Sequence, residues 1–135
     1  MKRTAKIILA AAVLAIFCTG VIAEKAEVTL EGSFVWARDD GDQTGDLKAI
    51  FTPNGDDAWN VAFHFEWEGK PHVYAGTASG NLKTGELSGE VESDSEERKT
   101  TFNFTGEFAD GVFKGTHGAM RDGELRELGT MELSH

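Results

Sequence analysis

The sequence predicts an all-β domain, an eight-stranded antiparallel up-and-down meander that forms a closed or nearly closed small barrel. Successive segments alternate apolar and polar residues with a period of two, as strands with one buried face do. Turn residues such as Asp110-Gly111 separate the segments at short intervals. After residue 23, no stretch of ten residues has a helical period with caps. A two-sheet β-sandwich is the alternative arrangement.

Residues 1–23 are typical of a secretory signal peptide. Lys2, Arg3 and Lys6 precede an uncharged apolar run, and cleavage is predicted after Ala23. Residues 24–135 then form one domain, exported to the periplasm or beyond the cell, without an integral membrane span. A retained anchor and lipidation at Cys18 are the alternatives. The apolar run is short for a span, and a bulky residue precedes the cysteine.

The composition limits the kinds of site and partner that the chain can have. The one cysteine of the chain lies in the signal peptide, so the mature part can form neither a disulfide nor a thiolate metal site. The mature part retains 10 basic and 23 acidic residues, a net charge of −13. Such a charge opposes binding to nucleic acid and anionic lipid, and it favours a cationic protein partner.

Residues 58–78 give the clearest strand pattern. Trp59, Phe63 and Trp67 lie on one face of a predicted strand, and a turn over residues 68–71 leads to the next strand at His72. The predicted strands cover residues 28–36, a short stretch at 47–51, 58–67, 72–82, 87–91, 101–108, 112–120 and 125–133. A type I′ turn at residues 110–111 would place position 108 opposite 113 and position 104 opposite 117.

The predicted interior contains nearly all of the aromatic residues. This inward set consists of Phe34, Trp36, Phe51, Trp59, Phe63, Phe65, Trp67, Phe102, Phe104, Phe108 and Phe113, with Tyr74. Glycines fall within the strands, where they permit strong coiling or make room for a ring. An eight-stranded barrel has an interior that side chains can just fill or that holds one small ligand.

The layout resembles that of lipocalins, fatty-acid-binding proteins and avidins, all of them meander barrels. Gly32-Ser33-Phe34 is similar to the Gly-x-Trp element of lipocalins, with phenylalanine in place of tryptophan. The resemblance implies the barrel fold and assigns no ligand residue. An outer-membrane barrel, whose apolar face meets lipid, is a further alternative. The short second strand and the mid-strand positions of Phe63 and Phe65 argue against it.

Trp36, Trp67, Tyr74 and His117 are the candidate ligand-binding residues, at one open end of the barrel. Two hypotheses follow: a binder of a small apolar or aromatic ligand, and a filled structural or interaction module whose acidic face meets a cationic partner. The volume of the interior distinguishes them, because a drug-sized ligand needs roughly 300 Å³ or more.

The acidic loop predicted over residues 39–46 resembles the first half of a calcium loop. Asp40, Asp42 and Thr44 occupy its first, third and fifth positions, with Asp39 or Asp46 as a further oxygen ligand. Phe51 lies where a bidentate glutamate belongs. A calcium-binding extracytoplasmic domain is therefore the alternative function, beside the simpler interpretation of a solvated turn. The second acidic loop, residues 90–97, is expected to be solvated.

No catalytic arrangement is visible, so we predict a non-enzymatic protein without a cofactor, apart from the calcium alternative. The chain has no Gly-x-Ser-x-Gly elbow and no Gly-rich phosphate loop. His64 is predicted to face outward and His117 inward, while the direction of His72 depends on the turn length. A shared zinc site is therefore not expected, and His117 is expected to bond Tyr74 or water.

Overall fold

A computed structural model describes residues 26–135, in which eight antiparallel strands form a closed barrel with β8 paired back to β1. The strands are β1 Val28–Trp36, β2 Gln43–Pro53, β3 Ala58–Trp67, β4 Lys70–Gly80, β5 Gly85–Glu92, β6 Thr101–Ala109, β7 Val112–Arg121 and β8 Glu124–Ser134. The predicted meander barrel is confirmed. The predicted signal peptide, residues 1–23, lies outside the described residues. Within them, no helix is long and apolar enough to cross a membrane.

The apolar face of each strand points into the barrel. The largest side chains that are fully buried are Phe51, Phe113, Leu30, Leu87 and Leu133. The polar residues that alternate with them along the strands face outward, as a strand with one buried face requires. This is the reverse of the arrangement that the outer-membrane alternative requires.

Tight turns set the register of the hairpins. Asp110 and Gly111 have positive φ values of 54° and 80°, as a type I′ turn requires. The predicted pairings of position 108 with 113 and of position 104 with 117 are confirmed. Asp122 and Gly123 form a turn of the same kind between β7 and β8.

The turn between β3 and β4 is shorter than predicted. It consists of Glu68 and Gly69, so Lys70 and Pro71 belong to β4 and not to the turn. With a two-residue loop, His72 pairs directly with Phe65. Directly paired residues lie on the same face of the sheet, so His72 is on the inward face. Pro71 is tolerated because β5 pairs with β4 only over residues 75–80, which leaves this part of β4 at an edge.

The second strand is longer than predicted. It begins at Gln43 and has 11 residues, so the predicted loop over residues 39–46 ends at Asp42. Gly45 explains the difference, because a Cβ there would lie 2.7 Å from the ring of Phe34 and its absence lets β2 continue past that ring. The prediction of a short second strand, and the argument drawn from it against a membrane barrel, were wrong.

The two ends of the barrel differ. The base, formed by the connections at residues 54–57, 81–84 and 110–111, is closed by packed side chains. There the Trp59 indole donates a hydrogen bond to the Gly80 carbonyl at 3.0 Å. At the other end, which we call the mouth, lie the connections at residues 37–42, 68–69, 93–100 and 122–123. The half-buried aromatic residues concentrate at the mouth, and the candidate site lies there.

Candidate functional site

Six aromatic side chains at the mouth form a closed circuit, which we call the aromatic ring. Neighbouring centroids lie 4.8 to 6.1 Å apart in the order Trp36, Trp67, Phe34, Phe65, Tyr74 and Phe102, and from there back to Trp36. These separations are those of favourable aromatic pairs. Strands β1, β3, β4 and β6 contribute these side chains from inward positions near their mouth ends.

The aromatic ring brings the predicted ligand-binding residues together. Trp36, Trp67 and Tyr74 are members of it, and the His117 imidazole lies 5.8 Å from Trp36 between ring centroids. All four side chains are half-buried, so each has one part in contact with the core and another exposed to solvent. The mouth is therefore an aromatic surface that a partner group can reach.

A cavity of about 60 Å³ lies beneath the aromatic ring. Its walls are almost entirely apolar, and they include Phe63, Phe104 and Met131 from the core. This volume corresponds to roughly two water molecules at about 30 Å³ each. It is well below the roughly 300 Å³ that a drug-sized ligand needs. The barrel interior is filled by side chains. The cavity can take only a small group of a few heavy atoms.

His117 faces inward as predicted, but its hydrogen-bond partner is different. Its Nε2 lies 3.1 Å from the carbonyl oxygen of Val35 on β1, so Nε2 carries the proton and donates it. Tyr74 is not the partner that was expected. Gly129 lies between His117 and Trp36 in the register of β7, β8 and β1. A Cβ at Gly129 would lie 2.8 Å from Nε2, so the missing side chain lets the imidazole reach β1.

Burial lowers the pKa of His117 below its usual range, although the hydrogen bond to Val35 and the charge of Glu127 partly oppose this shift. The imidazole is therefore neutral at neutral pH. Because it adds no positive charge to the mouth, the negative charge of the surrounding loops is not offset there.

Asp94 connects the loop at residues 93–100 to β4, a contact that the sequence analysis missed. One carboxylate oxygen lies 3.0 Å from His72 Nδ1, and the other accepts a hydrogen bond from the Val73 N–H at 3.0 Å. Since β5 does not pair with β4 at Val73, that N–H needs another acceptor. The sequence signal was available: β5 is shorter than β4, and an aspartate follows it directly after Ser93.

The same contact shapes the electrostatics of the mouth. The hydrogen bonds from His72 and Val73 lower the pKa of Asp94, which keeps its carboxylate charged. Burial raises the pKa of Tyr74, and the charge of Asp94 raises it further. The His72 imidazole also stacks on Phe65 with centroids 5.5 Å apart, which extends the aromatic surface toward Asp94.

Carboxylates surround the aromatic ring. The four connections at the mouth contain eight acidic residues and three basic residues in sequence. The base has fewer, with three acidic residues and one basic residue in its three connections. This excess of acidic residues gives the mouth a negative potential. The site therefore combines π faces and carboxylates.

The candidate calcium ligands occupy two different elements. Asp40 lies in the mouth loop, where its carboxylate forms an ion pair with Arg38 at 3.4 Å, and Asp42 ends that loop. Thr44 and Asp46 are exposed residues of β2. In residues 26–135, no group of three or more His, Cys, Asp or Glu residues is arranged to hold a metal ion. Calcium binding stays a prediction.

Comparison with known protein families, with curated proteins and with solved structures found no match. The fold and the site therefore define the class of this protein. It is a side-chain-filled meander β-barrel with one closed end and one aromatic end surrounded by carboxylates.

Proposed function

We propose that this chain is a non-enzymatic, exported interaction module that binds a cationic protein partner through its mouth. The observation that carries the proposal is the cavity of about 60 Å³. An interior this small favours the filled module over the ligand carrier, because a drug-sized molecule would need roughly 300 Å³ or more. We therefore assign binding to the mouth, where half-buried aromatic side chains and acidic loops meet.

Charge and composition support a protein partner of positive charge. The mature part has 23 acidic and 10 basic residues, and the carboxylates are dense around the mouth. Complementary charge accelerates association and selects against wrong partners. Tryptophan and tyrosine are enriched among residues that dominate protein interfaces, and Trp36, Trp67 and Tyr74 are all half-buried there.

The site residues also support a binding role over a catalytic one. His117 donates to a main-chain carbonyl, and Asp94 is engaged by His72 and Val73. A general base must lie within reach of a substrate proton in a cleft. The cavity beneath the aromatic ring, which His117 lines, is too small to hold a substrate of ordinary size.

Two measurements test this function. Native mass spectrometry of the protein from its own host is expected to give the mass of the apoprotein, since the interior has no room for a retained ligand. Titration with a basic peptide of mixed lysine and arginine is expected to show binding that weakens with salt. A retained small molecule, or failure of the basic peptide to bind at low salt, would overturn the proposal.

A small flat aromatic ligand is the second candidate, because it could stack at the mouth without entering the core. Tyr74 and Phe102 are nearly parallel, with an interplanar angle of 15° and centroids 5.4 Å apart. Both side chains are half-buried, so one more ring could extend the stack. In the same mass spectra, this candidate predicts an adduct of constant mass that is lost on denaturation.

A further inference from the structure

We infer that the aromatic ring binds an arginine side chain of the cationic partner, with the guanidinium group against Trp36, Tyr74 and Phe102 and beside Asp94. This inference rests on the proposed function and specifies the chemistry of its partner. It follows from the size of the cavity, the nature of its walls and the position of one carboxylate.

Size points to a single head group. The cavity of about 60 Å³ opens toward the aromatic ring and matches a planar group of a few heavy atoms better than a whole ligand. An arginine side chain ends in such a group on a long apolar stem. The stem can lie against the half-buried pair of Trp36 and Trp67, which contact each other at the mouth.

Among cations, the cavity walls favour one of low hydration. They offer ring faces and almost no polar surface, so a group that enters must lose most of its water. Guanidinium is more weakly hydrated than an ammonium group and stacks on aromatic faces, so it loses less on entry than lysine does. A cation within about 6 Å of a ring centroid is attracted by the quadrupole of the ring.

Asp94 supplies the charge partner. His72 and Val73 hold its two oxygens at 3.0 Å, so the carboxylate has a fixed position at the rim near Tyr74. An ionised carboxylate has about four acceptor sites, and two hydrogen bonds leave some of them for a guanidinium N–H. The side chain of Asp94 is 36% exposed, so a partner can reach it.

The experiment uses short glycine–serine peptides that carry arginine, lysine or citrulline at the same positions, titrated by calorimetry against the mature protein. Citrulline keeps the shape of arginine and removes its charge. The protein variants are Trp67→Leu and Asp94→Asn, which alter the mouth. Their matched controls are Trp59→Leu at the base and Glu107→Gln on the outer face of β6.

The arginine peptide is expected to bind about five- to tenfold more tightly than the lysine peptide, and the citrulline peptide is expected not to bind. Trp67→Leu and Asp94→Asn are each expected to weaken arginine binding by about fivefold or more, while the control variants leave it unchanged. Folding of every variant is checked by circular dichroism. Asp94→Glu keeps the carboxylate charge on a longer side chain. Recovery of arginine binding in this variant would therefore assign the loss in Asp94→Asn to the missing charge and not to the loop contact.

Two results overturn the inference, and they differ in what they say about the proposed function. In the first result, the lysine and arginine peptides bind equally, and neither Trp67→Leu nor Asp94→Asn weakens their binding. The acidic surface then attracts cations without a specific site. The interaction module then stands without the arginine site. If no basic peptide binds to the unaltered protein, the proposed function fails together with the inference.

Discussion

At the residue scale, His117 shows how one missing side chain sets the chemistry of another. A Cβ at Gly129 would overlap the carbonyl oxygen of Val35, so β8 approaches β1 more closely than any other residue type permits. The same absence opens the path along which the imidazole reaches that carbonyl at 3.1 Å. The contact joins β7 to β1 across β8, at the seam that closes the barrel.

The buried imidazole makes stability depend on pH. The folded pKa of His117 is below its usual value of 6.5, so the unfolded chain takes up a proton before the folded one does. The free energy of unfolding is therefore at its full value above about pH 6.5 and is lost as the pH falls through the folded pKa. The loss is at most about 1.4 kcal/mol per pH unit, and less because the imidazole is partly exposed.

Urea unfolding at a series of pH values from about 7.5 down to about 5 measures this loss. His117→Gln removes the titrating group and is expected to flatten the curve in that window. Asp94 does not interfere, because its folded pKa is lowered from 3.8, and its contribution is lost only as the pH falls through that lower value. Equal slopes for both proteins would show that His117 is not the group responsible.

At the element scale, the strands were predictable where alternation and turn chemistry agree. The turn at Asp110-Gly111 has glycine where positive φ is needed, and the pairing of β6 with β7 followed from it. The start of β2 was not predictable, because aspartates and glycines over residues 39–46 are typical of a loop. Only the packing of Phe34 against Gly45 turns part of that stretch into strand, and packing is not visible in a local pattern.

The turn of β3 and β4 has a less suitable residue than the other two tight turns. Glu68 has a φ of 53°, a region that costs roughly 1 to 2 kcal/mol for residues other than glycine, asparagine and aspartate. Asn-Gly is the preferred pair for this turn type. Glu68→Asn is therefore expected to raise the free energy of unfolding by about 0.5 to 1 kcal/mol.

Denaturant unfolding of Glu68→Asn measures this gain. Glu66→Asn, two residues earlier on the exposed face of β3, is the matched control, since it removes the same charge without a positive φ. The control matters because relief of repulsion among the mouth carboxylates could raise stability for both variants. An equal gain in the two would assign the effect to charge and not to the turn.

At the scale of the whole molecule, the barrel has two halves with different roles. The base is closed by packed side chains, and the nearby Phe51 and Phe113 are inaccessible to solvent. The mouth has half-buried rings and most of the loop carboxylates.

The sequence predicted which residues share the interior and which four candidates share one end. It could not predict the volume that remains, because that depends on how rings from four strands interlock.

The filled interior can be tested directly, because a cavity of about 60 Å³ leaves little room for a bound molecule. Met131→Ala removes a buried side chain from the cavity wall, so it is expected to lower the free energy of unfolding by about 2 to 5 kcal/mol. The enlarged apolar cavity should then bind benzene, and saturating benzene should raise the melting temperature of this variant. Met120→Ala, a control at a side chain that is 51% exposed, should change neither quantity. If the unaltered barrel is stabilised by benzene as strongly as Met131→Ala, its interior already holds ligands.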